Sequence, residues 1–391
     1  MAHPTDRYQL ADPAGIGLDP AALHALVERA HREVDAGLLP SCQLALAREG
    51  RLALFTTIGS ATNDNRYVIF SATKGVIAGA IWLLMSEGAL DVGTKVAEIV
   101  PRFGTNGKDV VTVEQLLLHT SGFPQAPMRV TEAASRQARL ERFERWRLNW
   151  EPGTRFEYHP LAAHWVLGEV IEVVSGLDYR EFVHTRLMEP LGLRRFRLGE
   201  PPERQADITT LVASGEPPTP EDIEAAIGIP GIDLGALVGE VTTDALLEFN
   251  DPAVRAVGAP GGGGISTAAD IALYYQSLLH NEAGLWDDDL MVDASRRVRC
   301  DLPDPLRAIP AHRSLGMMVA GEGTVATMRG FGYGLSPETF GHDGAGGQIA
   351  WADPVSGISF CYLTNGLDRH VLREARRTIG LSSRAAACLA S

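Results

Sequence analysis

Lysine is almost missing from this chain. Of 35 basic residues only Lys74, Lys95 and Lys108 are lysines, so a motif that requires one has few places to occur. Cysteine is scarce as well. Cys42, Cys300, Cys361 and Cys388 lie far apart, with no C-x-x-C spacing to suggest a disulfide framework, a zinc ribbon or a redox pair. Two of them, Cys42 and Cys361, sit in apolar strand-like runs, where a buried free thiol is expected. No stretch approaches the roughly 18 uninterrupted apolar residues of a membrane span. Met1-Ala-His-Pro-Thr-Asp-Arg7 lacks the apolar core of a secretory leader, so a cytoplasmic setting is expected. Positive charge is in deficit: the net charge of −14 argues against nucleic acid or an anionic membrane as partner. There is no H-E-x-x-H and no Cys/His cluster, so neither a metal nor a cofactor is expected. No G-x-S-x-G elbow occurs either; Gly264-Ile-Ser266-Thr-Ala268 lacks the final glycine, which disfavours a Ser-His-Asp hydrolase.

What is present is an ordinary globular composition, 45% apolar and 21% charged over 391 residues, enough for one large domain or two interleaved ones. Asp19-Pro20 opens a helix that Gly37 ends, and strands are expected at 43–47 and 52–59. Helical patterns dominate the middle, at 113–119, 161–175 and 268–279. Strands return at 347–351 and 358–363, before a terminal helix over 368–380. The expected fold is therefore α/β (α+β): an antiparallel sheet from residues 1–70 and 291–391, flanked by helices, with a mostly helical lobe inserted at 71–290. Within that lobe, residues 200–263 are irregular, acidic and rich in proline and glycine, as befits a surface wrap or a cleft cover.

Ser71-Ala-Thr-Lys74 is the most informative stretch. Strand-forming residues precede it and the apolar run Gly75–Met85 follows, so Ser71 and Lys74 fall on one face of a helix start at i, i+3. A helix N-terminus and a basic side chain are what a serine nucleophile needs. With 18 serines and three lysines, an accidental Ser-x-x-Lys match arises in about one such chain in seven. A simple N-cap serine is the competing reading.

Three further segments bear on that choice: Glu151-Pro-Gly-Thr-Arg-Phe-Glu-Tyr158-His159-Pro160 just before a helix, Phe340-Gly-His342-Asp343-Gly344-Ala345 at the start of a strand, and the turn after His119. With Ser71-x-x-Lys74, in this order, they resemble the serine β-lactamase and penicillin-binding superfamily. The likeness is to its class C-like branch, which includes family VIII carboxylesterases, amidases and D-amino-acid peptidases; it spans nearly the whole chain and is weakest over 200–263. The resemblance implies Ser71 as nucleophile, Lys74 in its hydrogen-bond network and Tyr158 as base or proton relay. It places the oxyanion hole at the backbone N–H groups of Ser71 and Ala345, and substrate contacts at His342, Asp343 and Gly344. His159 is a further candidate substrate contact beside the cleft, and His119 is expected to brace its turn. On this reading a cationic Lys74 depresses the acidity constant of the Tyr158 hydroxyl.

Two departures sharpen the expectation. Pro160 stands where the family has the asparagine of Tyr-x-Asn, and His342-Asp343-Gly344 replaces Lys-Thr-Gly. A missing amide and a mostly neutral imidazole grip a carboxylate-bearing amide poorly, and Asp343 would repel one if it faced the cleft. The expected activity is a serine carboxylesterase acting on short or medium acyl esters through an acyl-enzyme. A β-lactamase, D-amino-acid peptidase or amidase and a non-catalytic binding member are the alternatives, with a small-molecule ester or amide as the partner of either enzyme.

Overall fold

The computed structural model describes residues 6–227 and 241–390. Helix α1 (Pro20–Asp35) starts where the Asp19 carboxylate accepts from the Ala21 N–H, with proline at the first helical position. Strands β1 (Ser41–Arg48) and β2 (Arg51–Gly59) form a hairpin around Glu49-Gly50, both in the left-handed region. Helices α2 (Thr73–Ser86), α3 (Ala162–Ser175) and α4 (Ala268–His280) follow. Strands β3 (Met318–Val319), β4 (Phe340–Gly344), β5 (Gln348–Ala352) and β6 (Ile358–Thr364) and helix α5 (Val371–Ala386) complete the main framework. The terminal helix begins later than the sequence suggests: Gly366–Asp368 forms a short strand, and the Asp368 carboxylate is taken by Arg373 and Arg377.

The six strands make one antiparallel sheet in the order β2-β1-β6-β5-β4-β3. N- and C-terminal segments thus meet at the β1–β6 pair, where Leu44 faces Tyr362 and Leu46 faces Phe360. Strand alternation sends Leu44, Leu46, Ile349, Trp351 and Phe360 into a core shared with α1 and α5. Ala45, Ala350, Cys361 and Leu363 point the other way, into the larger core of α4 and the helical lobe. Small residues there let α4 lie close on the sheet, pinned by buried Gln276 donating to the Ala47 and Gly357 carbonyls. Helix 268–280, though it comes from the middle of the chain, therefore belongs structurally with the sheet.

Helix α2 is buried on every side. Val76, Ile77, Ile81 and Trp82 are at most 1% exposed, and each side chain so buried contributes roughly 1.5–3 kcal/mol. Its glycines serve close approach: a Cβ on Gly79 would collide with the Tyr274 hydroxyl. This deep seating gives the start of α2 a rigid base. Segment 200–227 runs over the surface, with Val212–Ser214 pairing parallel to Gly366–Asp368. Residues 242–257 return as short helical turns beside Phe70. Among the described residues, no helix is long and apolar enough to cross a membrane.

Candidate active site

Ser71 sits at the centre of the 3-10 turn Phe70–Ala72 that leads into α2. Phe70 has φ +44°, a left-handed conformation that costs a bulky residue energy and persists only where its surroundings hold it. They do so through an edge-to-face contact with Phe249 at 5.4 Å and through the Thr73 hydroxyl, which donates to the Phe70 carbonyl. The Thr73 oxygen in turn accepts from the Gly264 N–H, and Ile69 N–H donates to the Gly264 carbonyl. The Ser71 turn is thus stitched to the run of four glycines at 261–264.

Lys74 is fully buried, with Nζ 3.1 Å from Ser71 Oγ. It donates to the carbonyls of Pro160 at 2.7 Å and Gly261 at 2.5 Å. A Cβ on Gly261 would crowd the Pro160 carbonyl at 2.9 Å, so glycine is what allows this cradle to close. Burial, reinforced by the Arg313 charge, holds the Lys74 ammonium well below the usual lysine range; Asp343 opposes weakly. Nζ thus has three oxygens within hydrogen-bond reach, the two carbonyls, which only accept, and the Ser71 hydroxyl, which can accept from an ammonium or donate to a free amine.

Tyr158 lies beneath Lys74, whose Nζ is 5.0 Å from the ring centroid, and close enough to Ser71 for a hydrogen bond to favour its phenolate. Its acidity departs from the sequence expectation. Burial and the Asp343 charge push the phenol above its ordinary value, and the opposing effects of Ser71, Arg313 and Arg307 are smaller. Lys74 is not among the charges that act on the phenol. Tyr158 is therefore a protonated phenol at neutral pH.

Two further expectations are corrected. His159 is fully buried: its Nδ1 donates to the Glu157 carbonyl, and its Nε2 meets the Ser121 hydroxyl and the Phe123 N–H. Proline at 160 turns the chain so that this ring braces the 119–123 turn while the Pro160 carbonyl faces Lys74. His342 is likewise 0% exposed, with Nδ1 donating to the Asp343 carbonyl and Nε2 accepting from Arg313. Its ring packs behind Tyr158, with no nitrogen free for substrate. Burial lowers both imidazoles, to about 3 for His159 and about 4 for His342, so both are neutral. His119 is also buried and neutral; its Nδ1 accepts from the His159 N–H, and its ring lies 4.7 Å from that of Tyr158.

Asp343 is partly exposed and does not stand as a free charge. Arg307 donates to it at 2.8 Å and keeps it ionised, well below the ordinary carboxylate range. Gly344 brings the strand against the nucleophile turn: a Cβ there would lie 2.5 Å from the Ile69 carbonyl oxygen. Ala345 follows, packed against the apolar cluster of Phe70, Phe249 and Leu367.

Residues 27–383 match the Beta-lactamase family. The chain belongs to that family. Among its relatives is the esterase/beta-lactamase LipL of Mycobacterium tuberculosis, 29% identical over 78% of this chain and 70% of LipL. A putative D-alanyl-D-alanine carboxypeptidase of Salmonella agona is 26% identical over 91% of this chain and 85% of its own length. A penicillin-binding protein homologue from Caulobacter crescentus superposes with a TM-score of 0.74 at 26% identity, covering 95% and 99% of the two chains. The chain is a beta-lactamase-related serine hydrolase with the β-lactamase/transpeptidase fold. Against that background the features invisible in the motifs are the carbonyl cradle of Lys74 and the two arginines, Arg307 and Arg313. Nothing in the motifs signalled the first, and nothing in the sequence around residue 313 signalled the second.

Proposed function

We propose that the protein is a carboxylesterase acting on short or medium acyl esters through an acyl-enzyme on Ser71. One observation carries the ester preference: the strand ending at Gly344 offers substrate no cation and no amide. His342 is sealed behind Tyr158, the charge at 343 is a carboxylate, and Pro160 has spent its carbonyl on Lys74. Beside Phe70 and Ala345 the partly buried Leu246, Leu247 and Val130 provide an apolar wall suited to an acyl chain.

In this reading Ser71 Oγ attacks the ester carbonyl as its proton passes to the free amine of Lys74. The backbone N–H groups of Ser71 and Ala345 take up the oxyanion, a stabilisation usually worth roughly 3–4 kcal/mol per donor. The Tyr158 hydroxyl gives its proton to the departing alkoxide and regains one from Lys74. Water then attacks the acyl-enzyme by the reverse route. Hydrolysis of short-chain aryl esters should disappear in Ser71→Ala, and an activated phosphonate should label Ser71 in the parent protein. Undiminished turnover in Ser71→Ala would remove the serine from the mechanism, and no phosphonate adduct at all would favour a binding role.

The similarity to the Salmonella carboxypeptidase favours a second reading, a peptidase, amidase or β-lactamase on the same scaffold, with the partly exposed Arg307 as its cation. A D-aminoacyl amide or a cephalosporin cleaved faster than the aryl ester would establish it.

A further inference from the structure

Arg313 is 1% exposed, yet among the described residues it has no carboxylate within ion-pair distance. Its Nη1 donates to His342 Nε2 at 3.2 Å, and its Nη2 has no partner. The guanidinium lies 5.6 Å from the Tyr158 ring centroid and 5.8 Å from that of Phe156. A buried cation without a counter-ion is costly, and an apolar side chain would fill the same space more cheaply. No substrate reaches it through Tyr158 and His342, so its work is done on the groups around it.

We propose that Arg313 is a positioning residue for the proton path: it shares the Tyr158 ring with Lys74, lying 5.6 Å from the centroid where Lys74 Nζ lies 5.0 Å away, and from there it fixes the His342 tautomer and sets its positive charge beside the amine that accepts the Ser71 proton. This rests on the acyl-enzyme reading above. The other groups facing Lys74 cannot substitute for it. His119, His159, His164 and His342 are all buried and held neutral. Tyr158 is a neutral phenol, and Asp343 acts in the opposite direction by favouring the ammonium. Arg307, the other buried-site guanidinium, is matched by Asp343 and Asp304. Among the described residues Arg313 is thus the guanidinium beside the base with no carboxylate in ion-pair contact; Asp343 and Asp304 act on it only from farther away. Removing it makes the ammonium easier to form, so the base is disabled at a higher pH.

The test is the pH profile of kcat/KM for a short-chain aryl ester in the full-length protein, with Arg313→Gln, Arg313→Met and Arg313→Lys beside the parent. The two neutral variants should move the acidic limb upward by about one pH unit, so that the loss reaches roughly tenfold only at pH values below the parent's limb and vanishes in alkali, while KM stays within about threefold. Arg313→Lys, which keeps the charge, should leave the limb near its parent position. Should Arg313→Gln fail to fold, Arg313→Met gives the same reading through an apolar side chain of similar reach. A folded neutral variant whose limb does not move overturns the assignment, as does an Arg313→Lys limb displaced as far as theirs. Phosphonate labelling at Ser71 separates the two claims. If labelling is present and the limb is unmoved, only Arg313 loses its role; if the parent is never labelled, the acyl-enzyme reading itself fails.

Discussion

Lys74 and Lys108 are built almost alike. Both are fully buried, both donate to two backbone carbonyls, and both lie over an aromatic face, Tyr158 at 5.0 Å and Phe103 at 5.4 Å. Each also has a hydroxyl as third partner, Ser71 for one and Thr105 for the other. The difference is where that hydroxyl's proton goes. Thr105 donates its own to the Glu144 carbonyl, so it can only accept from Lys108. Lys108 is accordingly an ammonium tying Thr105 to Trp146, and burial lowers it only to about 8. Among the described residues no carbonyl accepts the Ser71 proton, and Lys74 is deeper and faces Arg313. On the proposed mechanism nearly the same shell makes a clamp in one place and a base in the other.

The largest effect expected from breaking this comparison is at Lys74. Lys74→Met should cut kcat/KM at least about a thousandfold, whereas Lys108→Met should leave it within about threefold. Aryl ester kinetics on both proteins check this, and a Lys108 variant that is inactive yet fully folded would break the distinction. Tyr158→Phe follows, with a loss of about a hundredfold in kcat and little change in KM, because only the proton relay is removed. Lys108→Met should instead appear in a urea midpoint, as a destabilisation of about 1–3 kcal/mol from stranding the Thr105 and Trp146 carbonyls.

A smaller and pH-dependent effect concerns the neutral histidines. His159 and His342 are lowered to about 3 and about 4, below the ordinary value of about 6.5 that they regain when unfolded. As pH falls below about 6.5 the unfolded chain binds protons first. The stability these residues contribute is complete above that pH and drains away as pH approaches about 4 and then about 3. Urea unfolding at pH 7 and 4.5 should show the loss, and His159→Gln should show a shallower one.

Much of the site was legible because its geometry is local. The i, i+3 spacing of Ser71 and Lys74, the tyrosine ahead of a helix and the motif on the strand are each set within a few residues. The strand ends at 41–48 and 358–364 followed the apolar runs closely. The start of the last helix did not, because Asp368 is claimed by arginines further along the chain. His159 and His342 were misread for a related reason. A histidine next to a site motif can face substrate or core, and the choice depends on partners at 121–123 and at 313.

What the sequence alone determined, then, was the order of the candidate motifs and the helix that places Ser71 beside Lys74, since backbone geometry and an apolar run suffice for that. Only the tertiary structure decided which groups surround the lysine and lower its hold on a proton. That depends on carbonyls from residues 160 and 261 and on a guanidinium from residue 313, brought together by packing and acting through a buried, low-dielectric medium where small changes in position carry large electrostatic weight.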